Sequence, residues 1–146
     1  MKKPRVLVFG WGNPSRGDDA LGPAFVGEAA RRDDVELVVD YQLQPEHALD
    51  LVGRDQVLFV DAAVDAAEPF EVREVMPDGA ASLTTHHLSP GALLHVFEQL
   101  TGEKAPPAKV LAIRGWQFGL GEALSARARK NLEAALSWWA RAPRGP

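Results

Sequence analysis

The sequence predicts an α/β protein, a mostly parallel sheet with helices on both of its faces. Short, nearly continuous apolar runs rich in β-branched residues recur along the chain, as expected for strands buried on both sides. Segments with helical spacing separate them. No linker or internal repeat interrupts the alternation, so residues 1–146 read as one domain.

Taken in order, RVLVFG (Arg5–Gly10) is the first strand, and GWGNPSRGDD is the turn that follows it. The next helix contains AFVGEAARR. Pro23, with its fixed φ and missing N–H, suits a first helical turn, which places the helix start near Leu21 or Gly22. VELVVD (Val35–Asp40) is the second strand, PEHALDLVG has helical spacing, and QVLFVDA (Gln56–Ala62) is the third strand. FEVREV (Phe70–Val75) is only half alternating and is expected at an edge or antiparallel. SPGALLHVFEQL is a helix with Ser89 as N-cap and Pro90 in the first helical position. KVLAIRG (Lys109–Gly115) is the last parallel strand, GEALSARARKNLEAALSWWARA the closing helix, and the APRGP tail reads as frayed.

Bulk properties narrow the function. A net charge of -4 offers no general cationic surface for a phosphate backbone, so no nucleic-acid partner is expected. No apolar run approaches the roughly 20 residues that span a bilayer, and MKKPRVLVFGWG lacks the apolar region of a signal peptide. No membrane partner is expected, and the expected location is cytoplasmic. The absence of cysteine excludes disulfides, thiolate metal sites and a cysteine nucleophile.

In open parallel sheets, ligands gather at the carboxyl ends of the strands. The first such turn departs from both familiar glycine-rich loops. Ser15 stands where a dinucleotide fingerprint needs its third glycine, and Asp18 and Asp19 occupy the positions where a phosphate loop needs Lys and Ser or Thr. Two carboxylates would repel phosphate, so the loop favours a cation. Asp61 closes an apolar run where the third strand is expected to end, and a carboxylate there is costly unless it is paired, hydrogen-bonded or metal-bound. His86 and His87 precede the Ser89 cap. Asp19, Asp61 and His86 therefore form the leading oxygen-and-nitrogen set for a divalent metal. Asp18 and His87 are the alternatives at two of these places.

Plainer roles compete with each assignment. Acids at a helix start can cap it and complement its dipole. An aspartate after a strand can be a hydrogen-bonded turn residue, and a histidine before a helix can be structural. His47 and His95 lie on predicted helices and read as surface or packing residues, Glu46 as a group behind the ligands, and Trp138 and Trp139 as core or interface. A serine hydrolase would need G-x-S-x-G, and Ser15 has Gly17 after it but Asn13 before it.

The combination G-x-G-N-x-x-x-x-D-D-x-x-G (Gly10–Gly22), V-D-A (Val60–Ala62) and H-x-L-S-P (His86–Pro90) resembles the hydrogenase maturation endopeptidases. GWQFGLGEALS resembles that family's segment before its last helix. The resemblance implies a three-layer α/β/α sandwich and a protease that removes the C-terminal extension from the nickel-loaded large-subunit precursor of nickel-iron hydrogenase. It also implies that Asp19, Asp61 and His86 are both the catalytic and the metal-binding residues, engaging the nickel carried by the precursor. The competing reading is a non-catalytic metal- or precursor-binding maturation factor on the same fold.

Overall fold

The apolar runs do become strands, because their β-branched residues fit a sheet covered on both faces. The computed structural model describes residues 3–80 and 88–142. Strands β1 (Val6–Trp11), β2 (Val35–Asp40), β3 (Gln56–Ala63), β4 (Phe70–Val75) and β5 (Ala108–Arg114) form one sheet in the order β2-β1-β3-β5-β4. The first three pairings are parallel, and β4 runs antiparallel to β5 at the edge, as its half-alternating pattern predicts.

Alternation along the strands sorts the core into two layers. On one face, Val8, Leu58, Val60, Leu111 and Ile113 meet α1 (Leu21–Glu28) and α3 (Ala126–Arg141) through Phe25, Leu132 and Trp139. On the other, Leu7, Phe9, Val57 and Phe59 meet α2 (Pro90–Thr101) through Leu93, Leu94 and Phe97. The second layer also includes Ala48 and Leu51, from a 3-10 helix at Pro45–Leu51. Helices thus cover both faces of the sheet. Among the described residues, no helix is long and apolar enough to cross a membrane.

Helix boundaries follow local chemistry. The α1 helix starts at Leu21, with Pro23 in its first turn, and the Ser89 hydroxyl caps α2 by accepting from the Ala92 N–H at 3.1 Å. Two expectations need correction. PEHALDLVG forms the 3-10 helix rather than an α-helix, with the Gln44 side chain and His47 capping its first turn. The closing helix starts later than expected, at Ala126, because Ser125 is its N-cap and the preceding GEAL belongs to the connecting loop.

The first turn of α1 lies against backbone. A Cβ on Gly22 would stand 2.3 Å from the Trp11 carbonyl oxygen and 2.9 Å from that of Val60, so only glycine permits this approach to β1 and β3. The start of α1 is therefore locked over the carboxyl ends of the two central strands.

Candidate functional site

The turn after β1 is built to aim Asp19. Gly12 has φ 149°, and a Cβ there would lie 2.0 Å from the Asp19 carbonyl oxygen, so glycine is required where the loop folds back on itself. The Asn13 side chain accepts from the Ser15 N–H at 2.8 Å, a local turn that exposes the Asn13 N–H. That N–H donates to Asp19 Oδ2 at 2.6 Å. Asp19 is left partly exposed at the carboxyl edge of the sheet, on a 3-10 turn at Gly17–Ala20 that precedes α1.

Asp18 does something different. Its side chain is fully excluded from solvent and receives four hydrogen bonds. The Trp116 and Gln117 N–H groups and the Ser125 hydroxyl donate to Oδ2, and the Ser125 N–H donates to Oδ1. Burial pushes the Asp18 pKa up, but the bonds from Trp116, Ser125 and Gln117 together outweigh it and hold the carboxyl below its ordinary value. The Ser125 hydroxyl also accepts from the Ala128 N–H, so it caps α3 while binding Asp18. The two adjacent acids thus divide the work: Asp18 ties the glycine loop to residues 116–125, and Asp19 faces the site.

Asp61 is not the turn residue it was expected to be. It lies within β3, paired in register with Ala112, and the strand continues through Ala63. It is partly buried rather than freely solvated. By alternation its side chain projects on the Val57 and Phe59 face, where Trp11 meets Phe59 edge-on at 5.9 Å. Burial raises the Asp61 pKa to about 7, the negative charge of Asp19 adds to the rise, and the Ala62 N–H opposes it. Asp19, on the turn after β1, and Asp61, near the carboxyl end of β3, are therefore near enough for the charge of one to act on the other.

His86 and His87 lie outside the described residues. Leu88, which follows them, packs on the sheet face toward which Asp61 projects. Among the described residues, no group of three or more His, Cys, Asp or Glu could hold a metal ion. The other histidines are packing residues, as expected. His47 Nδ1 accepts from the Gln44 N–H, its Nε2 meets Asp40, and its ring stands edge-on to Phe9 at 4.6 Å. The His95 ring lies over Gly79. Glu46 is exposed on the 3-10 helix, Trp139 is buried in the core, and Trp138 packs against it.

A cavity of about 410 Å³ opens at the opposite edge of the sheet. The strand-initial residues Val6, Val35, Gln56 and Ala108 line it, together with both tryptophans. It lies away from the two acids, and the chemistry of the carboxyl edge does not extend to it.

No protein-family model matches the chain, and no curated protein matches it by sequence. Solved structures do match. The NiFe hydrogenase maturation protease HycI from Thermococcus kodakarensis KOD1 superposes with a TM-score of 0.70 at 23% identity, over 92% of this chain and 89% of that one. The hydrogenase maturating endopeptidase HybD from E. coli superposes with a TM-score of 0.72 at 22% identity, over 91% and 88%. This chain has the fold of the hydrogenase maturation proteases. A third structure, the NiFe hydrogenase maturation protease HybD from Thermococcus kodakarensis, gives a TM-score of 0.64 at 21% identity, over 91% and 95%. The likeness to the maturation-protease fold thus spans nearly the whole chain.

The part that sequence reading missed is the support behind Asp19. Ser125 and the N–H groups of Trp116 and Gln117 hold its neighbour from a segment about a hundred residues away, in round numbers. The one available signal was GWQFGLGEALS, whose relation to the acidic pair only the folded chain displays.

Proposed function

We propose that the protein is an endopeptidase that removes the C-terminal extension from the nickel-loaded large-subunit precursor of nickel-iron hydrogenase. One observation carries this reading: Asp19, on the turn after β1, and Asp61, in the adjacent parallel strand β3, lie near enough for their charges to interact, with no compensating cation among the described ion pairs. Such a pair is electrostatically incomplete and gains from a divalent metal. The fold likeness to maturation proteases supports the same reading.

In this reading the metal arrives with the substrate. Asp19 is pre-aimed by the Asn13 N–H, so it engages the precursor's nickel without reorganising its loop. Asp61 releases its proton as it binds, which couples nickel capture to pH. His86 supplies the imidazole ligand, from the segment that leads into α2. Carboxylate and imidazole donors accept nickel readily, and the bound ion polarises the scissile carbonyl or activates a water. A precursor without nickel would leave the two carboxylates repelling each other, so the enzyme would distinguish loaded from unloaded substrate.

Incubation with a nickel-loaded precursor tests this, read by the mass of the large subunit. Loss of the C-terminal extension is expected with nickel and not without it. A stable complex that is never cut would replace the protease with a binding factor on the same scaffold.

A further inference from the structure

The free edge of β2 lies beside the glycine loop and has a use in this reading. In the parallel ladder with β1, the Val6 N–H donates to the Asp34 carbonyl and the Gly12 N–H to the Asp40 carbonyl. Alternation between these two bonds turns the backbone of Glu36, Val38 and Asp40 toward β1 and that of Leu37 and Val39 outward. β2 is terminal in the sheet, so among the described residues the outward N–H and C=O groups of Leu37 and Val39 have no strand to pair with. Edge strands are commonly blunted by Lys, Pro or bulges, yet VELVVD contains no Lys or Pro and its register with β1 is continuous.

Leu37 and Val39 line a groove of about 530 Å³ between β2 and α1. Val26 and Gly27 of α1 form its other wall, and a Cβ on Gly27 would meet nothing within 4 Å, so the groove is open. Val39 is 51% exposed and Tyr41 68% exposed. The two ends differ in charge. At one end are Gly12 and Pro14, which flank the Asn13 that holds Asp19; at the other is Arg31, exposed and in none of the ion pairs among the described residues.

We infer that this groove seats the precursor's C-terminal extension as an additional strand on β2, with its terminal carboxylate at Arg31. The inference rests on the protease reading and deepens it by naming where the removed peptide lies. Charge complementarity sets the direction. Nickel beside the cut is drawn to the acidic pair and the carboxylate to Arg31, so the peptide runs from the glycine loop toward Arg31, antiparallel to β2. The ladder from Val35 to Asp40 spans about 20 Å at ~3.3 Å per residue. That length accommodates about six extended residues between cut and carboxylate. Outward backbone groups of Leu37 and Val39 supply affinity for any sequence, while their side chains and Val26 prefer apolar residues at alternate positions.

The probe is a synthetic peptide with the sequence of a nickel-iron hydrogenase C-terminal extension, prepared as free acid and as C-terminal amide. Amide hydrogen exchange on the wild-type protein should slow at Leu37 and Val39 when the free acid is added. The amide should bind about tenfold more weakly, and Arg31→Ala should erase that difference. Val39→Pro removes an outward N–H without breaking a ladder bond, and should weaken peptide binding at least tenfold with melting temperature and nickel binding unchanged. Unchanged exchange at both amides overturns the inference whatever the variants do, as does protection that appears without peptide and grows with protein concentration, which would mark a second copy as the occupant. Equal binding of acid and amide overturns the Arg31 assignment and with it the direction. Precursor cleavage without protection of these amides removes the groove and leaves the protease; protection without cleavage of nickel-loaded precursor removes the protease and leaves a peptide-binding edge.

Discussion

Burial and the charge of Asp19 together keep Asp61 protonated up to about pH 7. Asp61 lies within β3 on the face of Val57 and Phe59, and the Asp19 carboxylate, on the turn after β1, is itself fixed by the Asn13 N–H. Ionising Asp61 is therefore opposed both by its burial and by the charge of Asp19.

For the metal-free protein, the sign of the pH dependence follows directly. The folded-state pKa of Asp61 lies above its ordinary value of 3.8, so between about pH 4 and pH 7 the folded chain holds a proton that the unfolded chain has lost. Its contribution to stability is fully present below the lower value and is lost as pH rises through about 7. At ~1.4 kcal/mol per unit this amounts to a few kcal/mol. Asp61→Asn should therefore melt higher than wild type at pH 8 in chelator and match it near pH 4, while losing precursor cleavage. Parallel melting curves across that range would return Asp61 to an ordinary structural role.

Asp18 should behave in the opposite way. Its carboxyl is held below the ordinary value, so its contribution is present at neutral pH and is lost as pH falls through the folded-state pKa. Asp18→Asn turns an N–H donor toward N–H donors and should cost about 3 kcal/mol or more at pH 7. Denaturant unfolding at pH 7 measures this. A variant as stable as wild type would mean that the four bonds to Asp18 are not what joins the two loops.

Two glycines of α1 separate close packing from helix propensity. Gly22→Ala places a methyl 2.3 Å from the Trp11 carbonyl oxygen, and should destabilise the fold by several kcal/mol while displacing Asp19. Gly27→Ala meets nothing within 4 Å and should stabilise by about 0.5 to 1 kcal/mol. Thermal melts of the two variants should move in opposite directions. Movement in the same direction would contradict the packing described for the start of α1.

The histidine assignment is decided by a pair of variants. His86→Ala should abolish nickel-dependent cleavage, and His87→Ala should retain most of it, because His86 is the histidine that opens the H-x-L-S-P match. Activity assays with nickel-loaded precursor measure both. The reverse outcome moves the ligand by one residue along TTHHLSP.

What the sequence by itself determined is what local patterning controls. Apolar runs flanked by turn residues specify the five strands, Ser89 and Pro90 mark the start of α2, and the irregular alternation of FEVREV marks a strand at an edge or antiparallel, which in the fold is both. It also brought Asp19 and Asp61 to one edge, because parallel strands place their carboxyl ends together whatever the intervening chain. Periodicity misled at PEHALDLVG, where capping by Gln44 and His47 and a short span favour a 3-10 helix. Only the tertiary structure decided which of two identical neighbours is structural. Asp18 and Asp19 carry the same carboxylate, and their difference comes from N–H donors at Trp116, Gln117 and Ser125, which reach Asp18 only once β5 and α3 are in place. The same holds for Asp61, whose raised pKa is a property of the desolvated sheet face and of Asp19 across it, and so of contacts between residues distant in the chain.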